Sequence, residues 1–462
     1  MATTPPASDL PPAVRSRVES GREQRARTPL ERHAEVDTGP DRPDPIALLT
    51  AQDAHRLASL VPIRHARMAA SAFTFYRGAA AIMAADLSRT PSTDLRVQLC
   101  GDAHLANFGV FNAPDRRLVF DLNDFDETSL GPFEWDLKRL AASVTLAGRN
   151  NRLATKQIDS ATRAAVRGYR TTLAATLPMS PLDVHYHRIE LESLLDEEEA
   201  LRKRDRKAIE RATHKDSVRA LAKLTEVVDG RRRIVAQPPL IVPMSGAPDD
   251  LEVARLQEFF EGYRSSLEPH RAALLDHYRF VDMAHKVVGV GSVGTRCLIV
   301  LLESDQGAPL FLQFKEATAS VLEAYSGPSG FDRAGERVVR GQRLMQATGD
   351  ILLGFSHATG HDGRVIDFYF RQLWDGKGSA EVDQMGPKRL RNYAEHCGAA
   401  LALAHARTGD AAAISGYLGD DDAADEVFAR YAQRYADLTE QDHVAHDQAI
   451  ASGRVPAAPA AP

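Results

Sequence analysis

The stretch CGDAHLANFGVFNAPDRRLVFDLNDFDET, residues 100–128, decides the fold that this sequence predicts. It follows one β-type run and contains a second, LVF at residues 118–120. Asp102 and Asn107 lie in the short polar loop after the first run, and Asp121 stands at the end of the second. If the strands on either side pair as a hairpin, these three side chains face one point.

The three side chains form a set that suits phosphoryl transfer. A carboxylate must orient the attacking hydroxyl and accept its proton, and separate oxygen ligands must hold Mg²⁺ on the nucleotide phosphates. Asp102 would be the base, and Asn107 and Asp121 would be the metal ligands. The alternative is that Asp102 and Asn107 only cap turns or a helix, as these residue types commonly do.

A second motif is GVGSVG, in which Gly289, Gly291 and Gly294 precede the aliphatic run TRCLIVLL and then FLQFK, which ends at Lys315. In a dinucleotide-binding fold such glycines open a helix, whereas here β-branched and aliphatic residues follow and favour a strand, glycine turn and strand hairpin. Glycines let the backbone approach phosphates closely, and Lys315 would reach the α- and β-phosphates. A plain hairpin with a surface lysine is the alternative.

A lysine in this role usually needs a carboxylate from the next helix. The candidates are Glu316, Glu323 and Glu336. Because side chains alternate along a strand, Glu316 would point away from Lys315. We therefore expect Glu323 to hold the lysine, with Glu336 as the next choice.

Two further groups of polar residues have several interpretations. Asp124, Asp126 and Glu127 could extend the metal site, bind a cationic substrate, or form a solvated turn. His405 and Arg407 could contact phosphate or substrate, or they could simply complement the dipole at the end of a helix.

The segment from Cys100 to Ala141 resembles the Brenner-type signature of aminoglycoside and choline phosphotransferases, in which HGDxHxxN is followed by a strand that bears the metal aspartate. The resemblance implies that Asp102 is the catalytic base, that His104 is the histidine of that loop, and that Asp136 in EWDLKRLA is a buried aspartate that steadies the loop. It also implies that Asn107 and Asp121 bind Mg²⁺. Cys100 departs from the signature, which has histidine at that position.

Over residues 46–442 the chain also resembles the bacterial domain-of-unknown-function 2252 family, through motifs that include GDAHLANFG, GPFEWDLKRLAAS, KVVGVGSVGTR and RVVRGQRLMQ. That family is often grouped with kinase-like folds, so the resemblance implies one here. In ordinary kinases the glycine loop and lysine precede the catalytic loop, yet Lys315 follows Asp102 by more than two hundred residues. We therefore expect a circular permutation, which a folded site tolerates. The alternative is that residues 289–315 belong to an unrelated domain.

Composition limits the other possibilities. The chain has 462 residues and a net charge of −6, which gives no basic field for nucleic acid. Its three cysteines are widely spaced, and the sequence shows neither a secretory signal nor an apolar run that could span a membrane. We expect a cytoplasmic protein that binds a nucleotide and an unidentified acceptor, with no nucleic-acid or membrane partner.

The expected fold is α+β, two-lobed and protein-kinase-like, with a large helical lobe and a smaller β-rich lobe. Changes in composition and hydrophobic pattern divide the chain into five parts: a disordered lead (1–45), a catalytic-loop and helical lobe (46–284), a β-rich lobe with the glycine loop and Lys315 (285–375), helices that complete the large lobe (376–450) and a disordered tail (451–462).

The expected function is ATP- and Mg²⁺-dependent phosphotransfer, with Asp102, His104 and Lys315 at the catalytic centre. Two other classes stay open. One is a metal-dependent phosphohydrolase that uses Asp102, His104, Asp121 and Asp124 as a metal cluster. The other is a catalytically silent nucleotide-binding or scaffold protein of the same shape.

Overall fold

The computed structural model describes residues 10–192, 221, 223–228, 231–244, 250–287, 289–360, 363–373 and 378–459, and these form a mixed α+β structure. The helices are α1 (Pro12–Arg27), α2 (Pro45–Asp53), α3 (Val61–Ala69), α4 (Ala72–Arg77), α5 (Ala80–Leu87), α6 (Phe133–Asn150), α7 (Thr155–Thr176), α8 (Pro181–Tyr186), α9 (Asp250–Ser265), α10 (Pro269–Ala272), α11 (Glu323–Ser326), α12 (Ala334–Met345), α13 (Pro387–Thr408), α14 (Ala411–Leu418) and α15 (Ala423–Ala451).

The strands are β1 (Arg96–Leu99), β2 (Phe108–Asn112), β3 (Leu118–Leu122), β4 (Ser129–Pro132), β5 (Ile189–Glu190), β6 (Thr225–Val228), β7 (Arg231–Ile234), β8 (Ile241–Pro243), β9 (Tyr278–Lys286), β10 (Cys297–Ser304), β11 (Pro309–Ala317), β12 (Gly354–Thr359), β13 (Val365–Gln372) and β14 (Gly378–Ser379). One sheet has six strands in the order β12, β13, β11, β10, β9, β8, and another has four in the order β14, β2, β3, β5. β1 pairs with β4, and β6 with β7.

The helical part is built around α6, whose residues are almost all buried. Its neighbours α7 and α13 approach each other closely because glycines face the contact. A Cβ at Gly168 would collide with the carbonyl oxygen of Glu395, and one at Gly398 with the carbonyl oxygen of Ala165. Small residues at such a contact let two helix backbones approach, which buries the apolar faces of both.

The six-stranded sheet carries the glycine motif. β9 and β10 are antiparallel neighbours, with residues 287–296 between them, so the predicted hairpin around the glycines is confirmed. β11 follows β10 antiparallel, with Cys297 opposite Lys315. On one face, α9 packs through Tyr263, whose ring stacks on Phe370 with centroids 4.0 Å apart.

The sheet begins earlier in the chain than residue 285, where we expected the β-rich part to start. β8 and β9 both belong to it, and β9 begins at Tyr278. The first half of β9 exposes Arg279 and Phe280, so this strand does not show the clean apolar alternation that marks a half-buried strand in a sequence.

The predicted hairpin of the first motif is confirmed. β2 and β3 are antiparallel, with Gly109 opposite Asp121. β1 enters the loop before β2, and β4 returns beside β1 and leads directly into α6. The polar loop therefore lies between a strand pair and the buried helix α6.

The expected disordered ends are wrong for most of their length. α1 packs against α14 so closely that a Cβ at Gly21 would collide with the carbonyl oxygen of Ala413. At the other end, Val455 is buried, and Ala458 N donates to Pro62 O at 2.9 Å. A polar composition concealed these contacts because glycine and alanine provide them. Residues 1–9 and 460–462, the remainder of the expected disorder, lie outside the described residues.

None of the helices within the described ranges is long and apolar enough to cross a membrane.

Candidate active site

The two sequence motifs meet at one cleft of about 570 Å³. Asp102, His104 and Asn107 line it from the first motif, and Gly289 and Gly291 line it from the second. Residues nearly two hundred positions apart thus face the same space. The alternative that the glycine segment belongs to an unrelated domain does not fit this arrangement.

The backbone that presents Asp102 is held by a buried carboxylate. Asp136, in the first turn of α6, accepts hydrogen bonds from Cys100 N at 2.8 Å and Gly101 N at 3.0 Å. Gly101 has a φ of 84°, and a Cβ there would collide with the backbone of Glu127. Only glycine fits this turn without strain. Asp136 occupies the supporting position that the resemblance implied.

Asp102 has a cationic partner that sequence reasoning missed. Arg139 Nε donates to Asp102 Oδ1 at 2.8 Å, and its guanidinium lies over the ring of Tyr76 at 3.8 Å. Burial raises the pKa of Asp102, and Arg139 opposes that shift. The sequence could have indicated this partner. Arg139 and Asp136 are three residues apart on α6 and therefore lie on the same face of the helix.

His104 lies beside Asp102 as a neutral ring. Its Nε2 is 3.6 Å from Asp102 Oδ2. Burial, followed by the nearby charges of Arg77 and Arg139, holds the pKa of His104 well below its usual range. Its Nδ1 is buried and has no hydrogen-bond partner within the described part of the chain.

Asn107 is fixed against the same loop. Its side-chain Nδ2 donates to the backbone carbonyl oxygen of Asp102 at 2.7 Å. The backbone carbonyl oxygen of Asn107 accepts from Asn123 N at 2.8 Å. With the amide nitrogen used in this way, the amide oxygen of Asn107 is the atom left for a cation.

Asp121 does not lie in the cleft, and this corrects its expected place among the metal ligands. Its side chain is buried and accepts from Leu122 N at 2.8 Å, with Arg407 as the nearby cation. Burial raises the pKa of Asp121 to about 6. The carboxylates that line the cleft in the turn after β3 are Asp124, Asp126 and Glu127. β3 ends at Leu122, so the chain turns towards the cleft only after Asp121 has been placed on the strand.

Lys315 reaches this acidic turn from β11. Its Nζ pairs with Asp126 and lies 3.5 Å from Asp124 Oδ2. Burial alone would lower the pKa of Lys315, but Asp124 and Asp126 hold it well above its usual range. For Asp126 the two effects have the opposite signs: burial would raise its pKa, and the charge of Lys315 lowers it to about 2.

Asp126 also joins the turn to the sheet and to the glycine loop. Tyr369 Oη donates to Asp126 Oδ1 at 2.7 Å, and Ser292 Oγ donates to Oδ2 at 3.2 Å. The pKa of Asp124 is raised by burial and by the neighbouring charge of Asp126. Two closely spaced carboxylates that line the cleft therefore share one ammonium group, which is buried behind them.

The expected pairing of Lys315 with Glu323 is wrong. Glu323 lies 3.2 Å from Arg337 Nε, and Glu336 pairs with Arg340 one turn along its own helix. Arg337 is buried and needs this carboxylate. The partners of Lys315 come instead from the first motif, a contact that spacing along the chain could not reveal.

The segment before the first motif holds the glycine loop. Leu57 N donates to Gly294 O at 2.8 Å, Arg56 donates to Val293 O, and Arg67 donates to Gly289 O. Arg56 and Arg77 also line the cleft. No sequence pattern marked these arginines as site residues.

The four-residue metal cluster that the hydrolase alternative required is not formed, because Asp121 lies apart from Asp102, His104 and Asp124. Across the described ranges, no group of three or more His, Cys, Asp or Glu side chains is arranged to hold a metal ion. The oxygen donors that line the cleft include Asn107, Asp124 and Asp126.

Comparison with known proteins gave one match. Searches of the curated proteins and of the solved structures found no similar protein. A scan against protein families matched residues 56–449 to the family described as an uncharacterized protein conserved in bacteria, DUF2252. The match includes both motifs and the segment that holds the glycine loop. The chain belongs to the DUF2252 family.

Proposed function

We propose that the protein is an ATP- and Mg²⁺-dependent phosphotransferase with a two-lobed, kinase-like fold in permuted order. The observation that carries the proposal is that Asp102, Asn107 and Asp124 line one cleft beneath a glycine loop, while Lys315 lies against Asp124 from the neighbouring strand. Phosphoryl transfer requires a base, oxygen ligands for the metal, a lysine for the phosphates and a flexible backbone above them. Here these parts come from both halves of the chain.

The order of elements in the sheet supports the kinase-like interpretation. β9 and β10 flank the glycine loop, and the next strand, β11, carries Lys315. Protein kinases likewise place a glycine-rich loop before a lysine on the third strand.

Contacts of α13 support the permutation. Its last residue, Thr408, accepts a hydrogen bond from Gln98 N of β1 at 3.2 Å, and His405 Nε2 lies 3.3 Å from Asp136. The end of α13 thus meets the strand that leads into the catalytic loop, as expected of a helix that precedes this loop in an unpermuted chain.

The donors fit Mg²⁺. A cation, the ammonium of Lys315, already lies between the carboxylates of Asp124 and Asp126. Mg²⁺ prefers one or two carboxylates completed by phosphate oxygens and water. Asp124 and the amide oxygen of Asn107 would hold the metal, with Asp126 available as a second carboxylate. When bound with the nucleotide, the metal would neutralise charge on the phosphates.

Asp102 would receive the proton of the acceptor hydroxyl. Arg139 donates to Oδ1, which leaves Oδ2 for the hydroxyl. The hydroxyl oxygen forms a bond to the γ-phosphorus, the bond to the β-phosphate oxygen breaks, and nucleoside diphosphate leaves. Arg139 favours the ionised form of Asp102 and orients it, while the neutral His104 packs beside it.

The test is calorimetric binding of ATP with and without Mg²⁺. We expect the natural chain to bind Mg·ATP, and we expect Lys315→Ala and Asp124→Asn to weaken binding roughly tenfold or more. Asp121→Asn is the matched control, since this nearby aspartate lies outside the cleft. If the natural chain binds divalent metal but does not bind ATP, the proposal is contradicted.

A further inference from the structure

The carboxylates that line the cleft are all engaged. Asp102 pairs with Arg139, and Asp124 and Asp126 surround Lys315. The others have these partners: Glu127 accepts from Val321 N at 2.8 Å, Glu316 pairs with Arg296 at 3.1 Å, and Asp367 accepts from Ala334 N at 2.9 Å. A cationic substrate would have to compete with a partner at each of them. Asp124, Asp126 and Glu127, the acidic run that suggested a cationic substrate, already have partners within the protein.

Two guanidinium groups that line the same cleft lack such a partner. Neither Arg56 nor Arg77 forms an ion pair with any carboxylate in the described ranges. Arg56 donates to the carbonyl oxygen of Val293. Arg77 Nε is buried and has no hydrogen-bond partner among the described residues. Burying a charged group without a partner is costly, so both groups favour an incoming anion.

Both arginines lie against the glycine loop. The Cβ position of Gly294 is 2.9 Å from Arg56 Cβ, and that of Gly291 is 3.2 Å from the carbonyl oxygen of Arg77. Arg77 is also close enough to the catalytic loop to lower the pKa of His104 and to help stabilise ionised Asp102. Burial lowers the pKa of both guanidinium groups. The charge of Arg77 is therefore on the side of the cleft where Asp102 would meet the acceptor, and Arg56 lies beside the same glycine loop.

We propose that Arg56 and Arg77 form an oxyanion subsite that binds a phosphate or carboxylate group of the acceptor. A guanidinium offers two parallel N–H donors, which match either group. The nucleotide phosphates have Lys315, the glycine loop and the metal, so they do not need these two side chains. The acceptor is then an anionic hydroxyl compound. The acceptor assignment rests on the proposed phosphotransferase function, whereas the anion site itself does not.

The test is titration of inorganic phosphate into the full chain, followed by calorimetry at constant ionic strength. It is repeated with saturating Mg²⁺ and a non-hydrolysable ATP analogue. We expect phosphate to bind in both conditions, and we expect Arg77→Ala and Arg56→Ala each to weaken binding roughly tenfold. Arg279→Ala, at an exposed arginine paired with Glu303, is the control and should leave phosphate affinity unchanged. Acetate in place of phosphate distinguishes a carboxylate site from a phosphate site.

The outcomes separate the two proposals. Displacement of phosphate by the analogue would assign the arginines to the terminal phosphate of the nucleotide and overturn the acceptor subsite. Unchanged phosphate affinity in Arg77→Ala would overturn the oxyanion site altogether. If the analogue itself fails to bind, the phosphotransferase proposal fails, and the variants still decide whether the anion site exists. An alanine variant could unfold, so the melting temperature of the natural chain is also measured, once with phosphate and once with sodium chloride at the same ionic strength. An equal melting temperature in the two solutions contradicts the site.

Discussion

Lys315 and Asp126 lie 189 residues apart in the chain and form an ion pair whose lysine is buried. The pair joins β11 to the turn that follows the β2 and β3 hairpin. Lys315 is only 2% exposed, so its ammonium is not solvated and depends on the carboxylates around it. This contact turns two distant motifs into one site.

Removing the lysine should destabilise the protein as well as the site. We expect Lys315→Met to lower the free energy of unfolding by about 3 kcal/mol, because two half-buried carboxylates lose their cation. Urea denaturation measures the loss. The double variant Lys315→Met with Asp126→Asn should recover part of it without recovering Mg·ATP binding. Equal stability of the single and double variants would show that the pair contributes nothing.

The two aspartates near the end of β3 should behave differently. Asp124→Asn is expected to abolish the dependence of ATP binding on Mg²⁺, since it removes a cleft carboxylate. Asp121→Asn is expected to keep that dependence. Calorimetric titrations of ATP over a range of Mg²⁺ concentrations measure both. If the effects of the two variants were exchanged, Asp121 and not Asp124 would be the metal ligand.

Asp121 should instead determine part of the pH dependence of stability. Its folded pKa of about 6 lies above the unfolded value near 3.8, so the folded state binds the proton more tightly and loses stability as pH rises from about 4 to 6. Asp121→Asn removes this loss. The stability of the variant relative to the natural chain should rise over that interval by at most about 3 kcal/mol. Urea denaturation at several pH values measures the difference, with exposed Asp305→Asn as the control.

Asp102 should affect transfer and not nucleotide binding. We expect Asp102→Asn to reduce slow ATP hydrolysis by water roughly 100-fold or more, because general-base catalysis is lost. Affinity for Mg·ATP should change little, since Asp102 would act on the acceptor. Release of ADP and calorimetric affinity are the two measurements. A variant that hydrolyses ATP at the natural rate would exclude Asp102 as the base.

The packing of α1 against α14 can be tested through a glycine of α14. A Cβ at Gly416 would collide with the carbonyl oxygen of Val18. We therefore expect Gly416→Ala to lower the free energy of unfolding by about 1–3 kcal/mol through overpacking. Gly386 has open space around it and a negative φ of −72°, so Gly386→Ala is the matched control and should have little effect. Equal melting temperatures for the two variants would contradict the close contact between α1 and α14.

Local patterns were sufficient for the elements around the site. The aliphatic run after GVGSVG predicted the hairpin that contains β10, and LVF predicted β3, because a strand shows its half-buried faces in a short window of sequence. The spacing of Asp102, His104 and Asn107 likewise placed them on one loop. A loop of six residues leaves little freedom for its side chains to diverge.

Partners that are distant in the chain could not be predicted in the same way. The sequence by itself determined the mixed α+β composition, the two hairpins, the glycine loop and the family. Only the tertiary structure decided that Lys315 pairs with Asp126 and not with Glu323, that Asp124 and not Asp121 enters the cleft, and that Arg56 and Arg77 reach it. Hydrophobic periodicity and turn chemistry act over a few residues, whereas an ion pair depends on how whole elements pack, which no short window records.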